Sequence, residues 1–138
     1  MLIVLDTNVL VSGLLKTNSK PAKVLDLVTA AKIQVAVDQR ILSEYRQVLA
    51  RPKLKITATN AHAVLVYISV AGLPVIAPPL DLQDVVIQDL MDLPFAEVAV
   101  AAMAQAVVTG NVKHFLFLKG LGIEVLTPDE FLVKYELT

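Results

Sequence analysis

Short apolar runs alternate along this chain with segments in which apolar residues recur at helical spacing. Residues 2–5 form an unbroken apolar run, which predicts a strand buried on both faces. Similar short runs at residues 33–37, 75–77, 106–109 and 124–126 predict four further strands. Strands that alternate with helices favour an α/β fold, here a three-layer α/β/α sandwich with a mostly parallel central sheet.

The segments between these runs predict helices, because their apolar residues fall on one face at a period near 3.6. Asp92 is predicted to cap the helix that follows it, and Thr57 or Thr59 to cap a helix that ends near Ala71. The other predicted helices span residues 9–15, 22–31, 40–50, 95–104, 112–118 and 128–135. Residues 81–92 carry four aspartates among apolar residues and predict either a loop or a helix.

The composition narrows the class of protein. The 138 residues predict one domain over residues 1–138, and no apolar run reaches the roughly 18 residues that span a bilayer. No basic segment precedes the first apolar run, so no signal peptide is expected. The chain has no cysteine, which excludes thiolate metal sites and favours a cytoplasmic protein. Its 56% apolar content predicts a sheet covered on both faces or an oligomer interface.

The charges nearly balance, with a formal net charge of −1, so the protein is not a globally basic nucleic-acid binder. Basic residues are nevertheless frequent in the first half of the chain. They form either a phosphate-binding face or a solvated surface. If such a face binds phosphates, the candidate contacts are Lys16, Arg46 and Arg51, with Lys113 from the second half of the chain.

Oxygen-bearing side chains follow several predicted strands. Asp6 comes directly after the first strand, Glu44 lies in the first turns of the helix after the second, and Asn111 follows the fourth. Asp92 precedes the most apolar helix. Ligands of open α/β sheets bind at the carboxyl ends of strands, so these side chains are candidates for one site. Asp6 has an alternative role as the cap of the next helix.

Glu97 is the only charged residue in the sequence FAEVAVAAMA. Such a carboxylate should be paired or bound to a cation, although a narrow polar stripe on the helix is the alternative. A set of oxygen ligands without a His or Cys cluster favours Mg²⁺ or Mn²⁺, which suits phosphodiester hydrolysis. His62 is expected to be a surface or packing residue. His114 could face the cleft, but it is expected mainly to close a short helix.

Several motifs occur in the order of a known family. They are DTNVL at residues 6–10, Ser43-Glu44, the pair Asp89 and Asp92 followed by PFAE, TGN at residues 109–111 with His114-Phe115, and TPDEFL at residues 127–132. The chain resembles the PIN domain family. More narrowly, it is similar to the prokaryotic toxin components of toxin–antitoxin systems.

This resemblance implies a Mg²⁺- or Mn²⁺-dependent endoribonuclease of the VapC type, a homodimer and a cognate antitoxin. The catalytic acids would be Asp6, Glu44 and Asp92. Metal ligands would be Asp6, Asp92, Glu97 and Asn111. Supporting hydrogen bonds would come from Thr7, Asn8, Asp89 and Thr109. Many members carry a fourth acid where this chain has Asn111, which brings no charge.

Other functions remain to be weighed against a ribonuclease. A PIN module that has lost turnover and acts by binding RNA or protein is the alternative, and Asn111 motivates it. A phosphoaspartyl enzyme is set aside because Asn8, not a second aspartate, stands two residues after Asp6. No G-x-G-x-x-G follows any predicted strand, which excludes a dinucleotide-binding fold.

Overall fold

The computed structural model describes residues 1–81, 87 and 89–137, and a parallel sheet forms its centre. Five strands lie in the order β3-β2-β1-β4-β5, and every neighbouring pair is parallel. The strands are β1 (Leu2–Leu5), β2 (Gln34–Val37), β3 (Leu73–Pro74), β4 (Ala106–Val108) and β5 (Glu124–Leu126). This arrangement confirms the predicted α/β fold with a parallel central sheet.

Helices connect the strands. They are α1 (Thr7–Leu15), α2 (Lys20–Thr29), α3 (Gln39–Leu49), α4 (Ala58–Ala71), α5 (Leu93–Ala102) and α6 (Pro128–Lys134). Three 3-10 segments accompany them, at Pro52–Leu54, Leu90–Asp92 and Val112–Leu121. Side-chain caps begin several helices: Asp38 accepts from the Ile41 N–H at 3.0 Å, and Thr57 accepts from the Asn60 N–H at 3.2 Å. The choice between Thr57 and Thr59 is therefore settled for Thr57.

The central strands are buried on both faces. Ile3, Val4 and Leu5 of β1 and all three residues of β4 have no exposed surface. Helix α5 packs against β1, β2 and β4, which explains its nearly uniform apolar composition. The unalternating apolar runs in the sequence follow from this double coverage.

The direction in which strands are added to the sheet reverses between β1 and β4. After β1 it adds β2 and then β3 on one side, and it then crosses to add β4 and β5 on the other side. The carboxyl ends of β1 and β4 therefore lie side by side at a topological switch point. Crevices of this kind hold the ligands of open α/β sheets.

Two predicted elements are corrected. The third strand is Leu73–Pro74, not residues 75–77, because Gly72 ends α4 in an extended conformation and leads directly into pairing with β2. Pro74 is tolerated because β3 is an edge strand. Ile76 is 96% exposed, so its β-branched side chain does not mark a buried strand. The predicted helix at 112–118 is a 3-10 segment that continues to Leu121.

The predicted loop or helix at residues 81–92 falls partly outside the described residues, which exclude 82–86 and 88. Its last three residues, Leu90–Asp92, form a 3-10 turn that Asp89 begins by accepting from the Met91 N–H at 2.9 Å. No helix in the described part of the chain is long and apolar enough to cross a membrane.

Candidate active site

Asp6 stands at the carboxyl end of β1, where three donors hold its carboxylate. Oδ1 accepts from the Thr7 N–H at 2.9 Å, and Oδ2 accepts from the Thr109 hydroxyl at 2.7 Å and from the Asn8 amide at 3.1 Å. Its own backbone N–H donates to the Val108 carbonyl of β4. Asp6 thus caps α1 as the alternative predicted, and it also joins a polar network at the switch point.

Thr109 and Asn8 tie the ends of β1 and β4 together. The Asn8 carbonyl oxygen accepts from the Gly110 N–H at 3.0 Å while its amide donates to Asp6. Thr109 has no exposed surface, and its hydroxyl oxygen also accepts from the Asn111 N–H at 2.9 Å. Each polar group therefore fixes the orientation of the Asp6 carboxylate.

Glu44 approaches Asp6 from α3. The Thr7 hydroxyl donates to its carboxylate, so Thr7 links the two acids. Tyr45, the next residue, is fully buried and donates its hydroxyl to the Leu5 carbonyl, which anchors α3 to the end of β1. Burial raises the pKa of Glu44 above its ordinary value, and the negative charges of Asp6 and Asp89 raise it further.

Asp92 faces the same site from the start of α5. Its side chain makes no capping hydrogen bond, so the predicted capping role is wrong. Instead Oδ2 lies 2.8 Å from Nδ1 of His114. Burial raises the pKa of Asp92, and Asp89 and Glu44 raise it further, while His114 acts in the opposite direction. The Asp92 carboxylate turns towards the imidazole of His114 and is therefore not available to cap α5.

The acids form a negatively charged cluster. Burial raises the pKa of Asp6, and the charge of Asp92 adds to this effect. No Lys or Arg among the described residues forms an ion pair with Asp6, Glu44 or Asp92. The pKa values of these carboxyl groups are raised partly because the neighbouring carboxylates repel one another. A bound cation would neutralise this negative charge.

The donors suit a hard divalent cation, since carboxylate and amide oxygens are the ligands that Mg²⁺ and Mn²⁺ prefer. Within residues 1–81, 87 and 89–137, however, no three His, Asp or Glu side chains stand close enough together to form a ready-made metal site. The chemistry and charge of these residues therefore fit a divalent cation. Their carboxylates would have to turn or move closer together to ligate it jointly.

Glu97 lies apart from this cluster. It is 8% exposed, and its Oε1 accepts from the Arg40 guanidinium at 2.7 Å while its Oε2 accepts from the Leu80 N–H at 3.1 Å. The prediction that this buried acid needs a partner is correct, and the alternative of an exposed polar stripe is wrong. The structure assigns Glu97 to an ion pair, not to the metal-binding set in which it was predicted.

A cleft of about 480 Å³ opens beside the acids. Thr7, Asn8, Glu44, Asp89 and Arg51 line it, so one cation borders the acidic cluster. Helix α3 carries both Glu44 and Arg46 and ends at Leu49, one residue before Ala50 and two before Arg51. The acids that line the cleft are Glu44 and Asp89.

A comparison with known families decides the identity. A model of the PIN domain matches residues 2–113. The match includes Asp6, Glu44 and Asp92 and ends one residue before His114. The chain belongs to the PIN domain family. PIN domains are generally nucleases that use divalent metal ions.

Two further proteins are similar to this chain, one in sequence and one in fold. The chain is 29% identical over 143 residues to the uncharacterized protein MJ1680 of Methanocaldococcus jannaschii, covering 97% of this chain and 91% of that protein. Its fold is similar to a chain in the crystal structure of VapBC2 from Rickettsia felis bound to a DNA fragment from their promoter. That match has a TM-score of 0.54 and 18% identity over 91% of this chain and 97% of the other.

The remaining predicted residues take different places in this PIN domain. Asn111 is exposed, and its backbone N–H is bonded to Thr109. Lys16, Arg46 and Lys113 are exposed, and Lys113 lines a groove with His114 beside the end of β4. Sequence reasoning missed His114 as a site residue. Its position three residues after Asn111 was the available signal, but its contact with Asp92 spans 22 residues.

Proposed function

We propose that this PIN domain is a Mg²⁺- or Mn²⁺-dependent endoribonuclease and the toxin component of a toxin–antitoxin pair. One observation carries the proposal: Asp6, Glu44 and Asp92 lie near the switch point of the sheet, close enough that the charge of a neighbouring acid raises the pKa of each. Membership of a family of nucleases supports the same conclusion. Phosphodiester hydrolysis is a reaction that acidic sites perform when they hold divalent metal ions.

In this proposal Asp6, Glu44 and Asp92 hold the cation, with Asn111 offering a neutral carbonyl ligand. Bound there, a divalent ion would activate a water and stabilise the leaving oxygen of a phosphodiester. Thr109, Asn8 and Thr7 orient the Asp6 carboxylate, and Thr7 also holds Glu44. His114 orients Asp92 through Nδ1. Outer partners of this kind strengthen ligation by fixing ligand direction.

RNA would enter along the cleft bordered by Arg51. Lys113 lines a groove with His114, whose imidazole contacts Asp92, and Lys16 and Arg46 are further exposed cations. Cations at these places would hold phosphates and make binding fall with salt concentration. Single-stranded RNA is the proposed substrate because its backbone can bend into an open cleft.

The proposed setting is the cytoplasm, with a cognate antitoxin and a second copy of the chain as partners. Exposed apolar side chains support these partners: Val70 of α4 is 81% exposed, and Val66 is 46% exposed. The fold shared with a chain of VapBC2 is a further reason to propose an antitoxin.

The alternative is a PIN module that binds RNA or protein without turnover. The exposed, uncharged Asn111 and the separation of the described acids favour it. Calorimetric titration with Mn²⁺ discriminates between the two functions. RNA or partner binding without Mn²⁺ uptake at about millimolar concentration would identify the inactive module.

The test of the main proposal combines Mn²⁺ titration with cleavage of a panel of structured RNAs. Wild type should bind Mn²⁺ and cleave in its presence, and Asp6→Asn should lose both properties. The matched control is Asp129→Asn, because the Asp129 side chain is 65% exposed on α6. Equal cleavage by wild type and Asp6→Asn would show that the acidic cluster is not the active site.

A further inference from the structure

We propose that Arg40 and Glu97 are positioning residues, which set the separation of the helices that present Glu44 and Asp92 to a metal ion. This inference rests on the proposed function, because it concerns the geometry of that metal centre. Neither residue touches the acidic cluster. Their ion pair lies on the β2 side of the site, at the start of α3 and of α5.

The pair joins the first turn of α3 to the second turn of α5. Arg40 lies on α3 one turn before Glu44, and Glu97 lies on α5 five residues after Asp92. The Arg40 guanidinium donates to Glu97 Oε1 at 2.7 Å. A charged, directional bond fixes both distance and angle between its partners. The two ligand-bearing turns are therefore held by a bond that lies one turn away from each.

An aromatic contact between these helices is less directional. The rings of Tyr45 and Phe95 lie 6.3 Å apart at an angle of 46°. Both residues are fully buried, so they bring α3 and α5 together. Apolar packing tolerates small sliding movements more readily than a charged hydrogen bond does. The ion pair is thus the element that can fix the register of α3 against α5.

Further bonds extend the pair into a network. The same guanidinium contacts Asp38 Oδ2 at 2.8 Å, and Asp38 caps α3 through its other oxygen. Glu97 Oε2 accepts from the Leu80 N–H, which holds the chain after β3. One buried carboxylate therefore joins α5 to the start of α3 and to the segment that precedes Asp89 and Asp92.

Stability alone does not account for this network. Removing water from Glu97 opposes the attraction of its partner, and partly buried ion pairs often contribute little net stability compared with apolar residues. A geometric role explains why an acid interrupts an otherwise apolar helix. It predicts an effect on metal affinity even where the fold is retained.

The test measures Mn²⁺ affinity by calorimetry in the double variant Arg40→Met/Glu97→Gln. This variant leaves the net charge unchanged and removes both charges of the pair. Asp38 loses its contact with Arg40 but still accepts from the Ile41 N–H, so the variant is expected to fold. If the pair positions the ligands, Mn²⁺ affinity should fall by about tenfold, the lower end of the range for residues that orient metal ligands. The matched control is Lys134→Met/Glu124→Gln, which removes a 2.6 Å ion pair on the exposed surface.

The single variant Arg40→Met separates positioning from direct ligation by Glu97. A released Glu97 that ligates the metal would maintain or increase Mn²⁺ affinity, whereas loss of positioning decreases it. Thermal unfolding of each variant establishes that the titrated protein is folded. Wild-type affinity in the double variant overturns the positioning role and leaves the proposed function intact. A wild-type protein that takes up no Mn²⁺ overturns both.

Discussion

Replacing Thr109 by Val tests the network around Asp6 with little change in shape. Thr109 has no exposed surface, and its hydroxyl donates to Asp6 Oδ2 at 2.7 Å. A hydrogen bond to a charged group contributes about 1.5–3 kcal/mol. A free-energy difference of about 1.4 kcal/mol corresponds to a factor of ten in affinity. If the full energy of this hydrogen bond is lost, Mn²⁺ affinity should fall by roughly tenfold to a hundredfold.

The pH dependence of this loss identifies its cause. Burial already raises the pKa of Asp6, and removing the Thr109 donor raises that pKa further. A proton then competes more strongly with the cation. Calorimetric Mn²⁺ affinities of wild type and Thr109→Val should therefore differ more at about pH 5 than at about pH 8.

Thr109→Ser is the matched control, because it retains the hydroxyl and should bind Mn²⁺ like the wild type. Valine also removes the acceptor for the Asn111 N–H, so thermal unfolding must accompany each titration. Equal affinities of Thr109→Val and wild type at both pH values would refute the role assigned to this hydrogen bond.

Three other predictions concern stability. The raised pKa values of the three acids mean that the folded state favours their protonated forms, so their contribution to folding stability is full at low pH and is lost as pH rises through those raised values. Because Mn²⁺ binds the deprotonated acids, it should raise the unfolding temperature more at about pH 8 than at about pH 5. An equal rise at both pH values would contradict this prediction. Gly13→Ala should destabilise by about 1–3 kcal/mol in urea unfolding, because its Cβ would lie 2.5 Å from Leu25, whereas Gly120→Ala meets nothing within 4 Å and is the control. Thr127→Ala removes a capping box with Glu130 and should cost about 1 kcal/mol in the same assay, while Thr127→Ser should cost much less.

Local signals predicted most of the elements correctly. The run at β1 is apolar without alternation because both faces of the central sheet are covered, and the cap at Thr57 depends only on neighbouring residues. The third strand was misplaced because residues 75–77 have strand-like side chains, while the observed pairing depends on where Gly72 ends α4. An edge strand of two residues leaves little pattern to detect.

The candidate site was predictable to the extent that it follows from topology. Asp6 and Thr109 had to come near each other once their strands were parallel neighbours. Partners of buried charges were not predictable, because Arg40 and Glu97 are 57 residues apart and nothing local links them. Asp92 was assigned as a cap for a similar reason, since its partner His114 comes from a segment beyond β4.

The shortness of the outer strands limits how copies of this protein can associate. The edges of the sheet are β3, with two residues that include Pro74, and β5, with three residues that begin at Glu124. Lys134 pairs with Glu124 at the second edge. Short edges bearing proline or charge resist strand-to-strand addition. Any homodimer is therefore expected to form through helices, and the central sheet is protected from growing into a continuous intermolecular sheet.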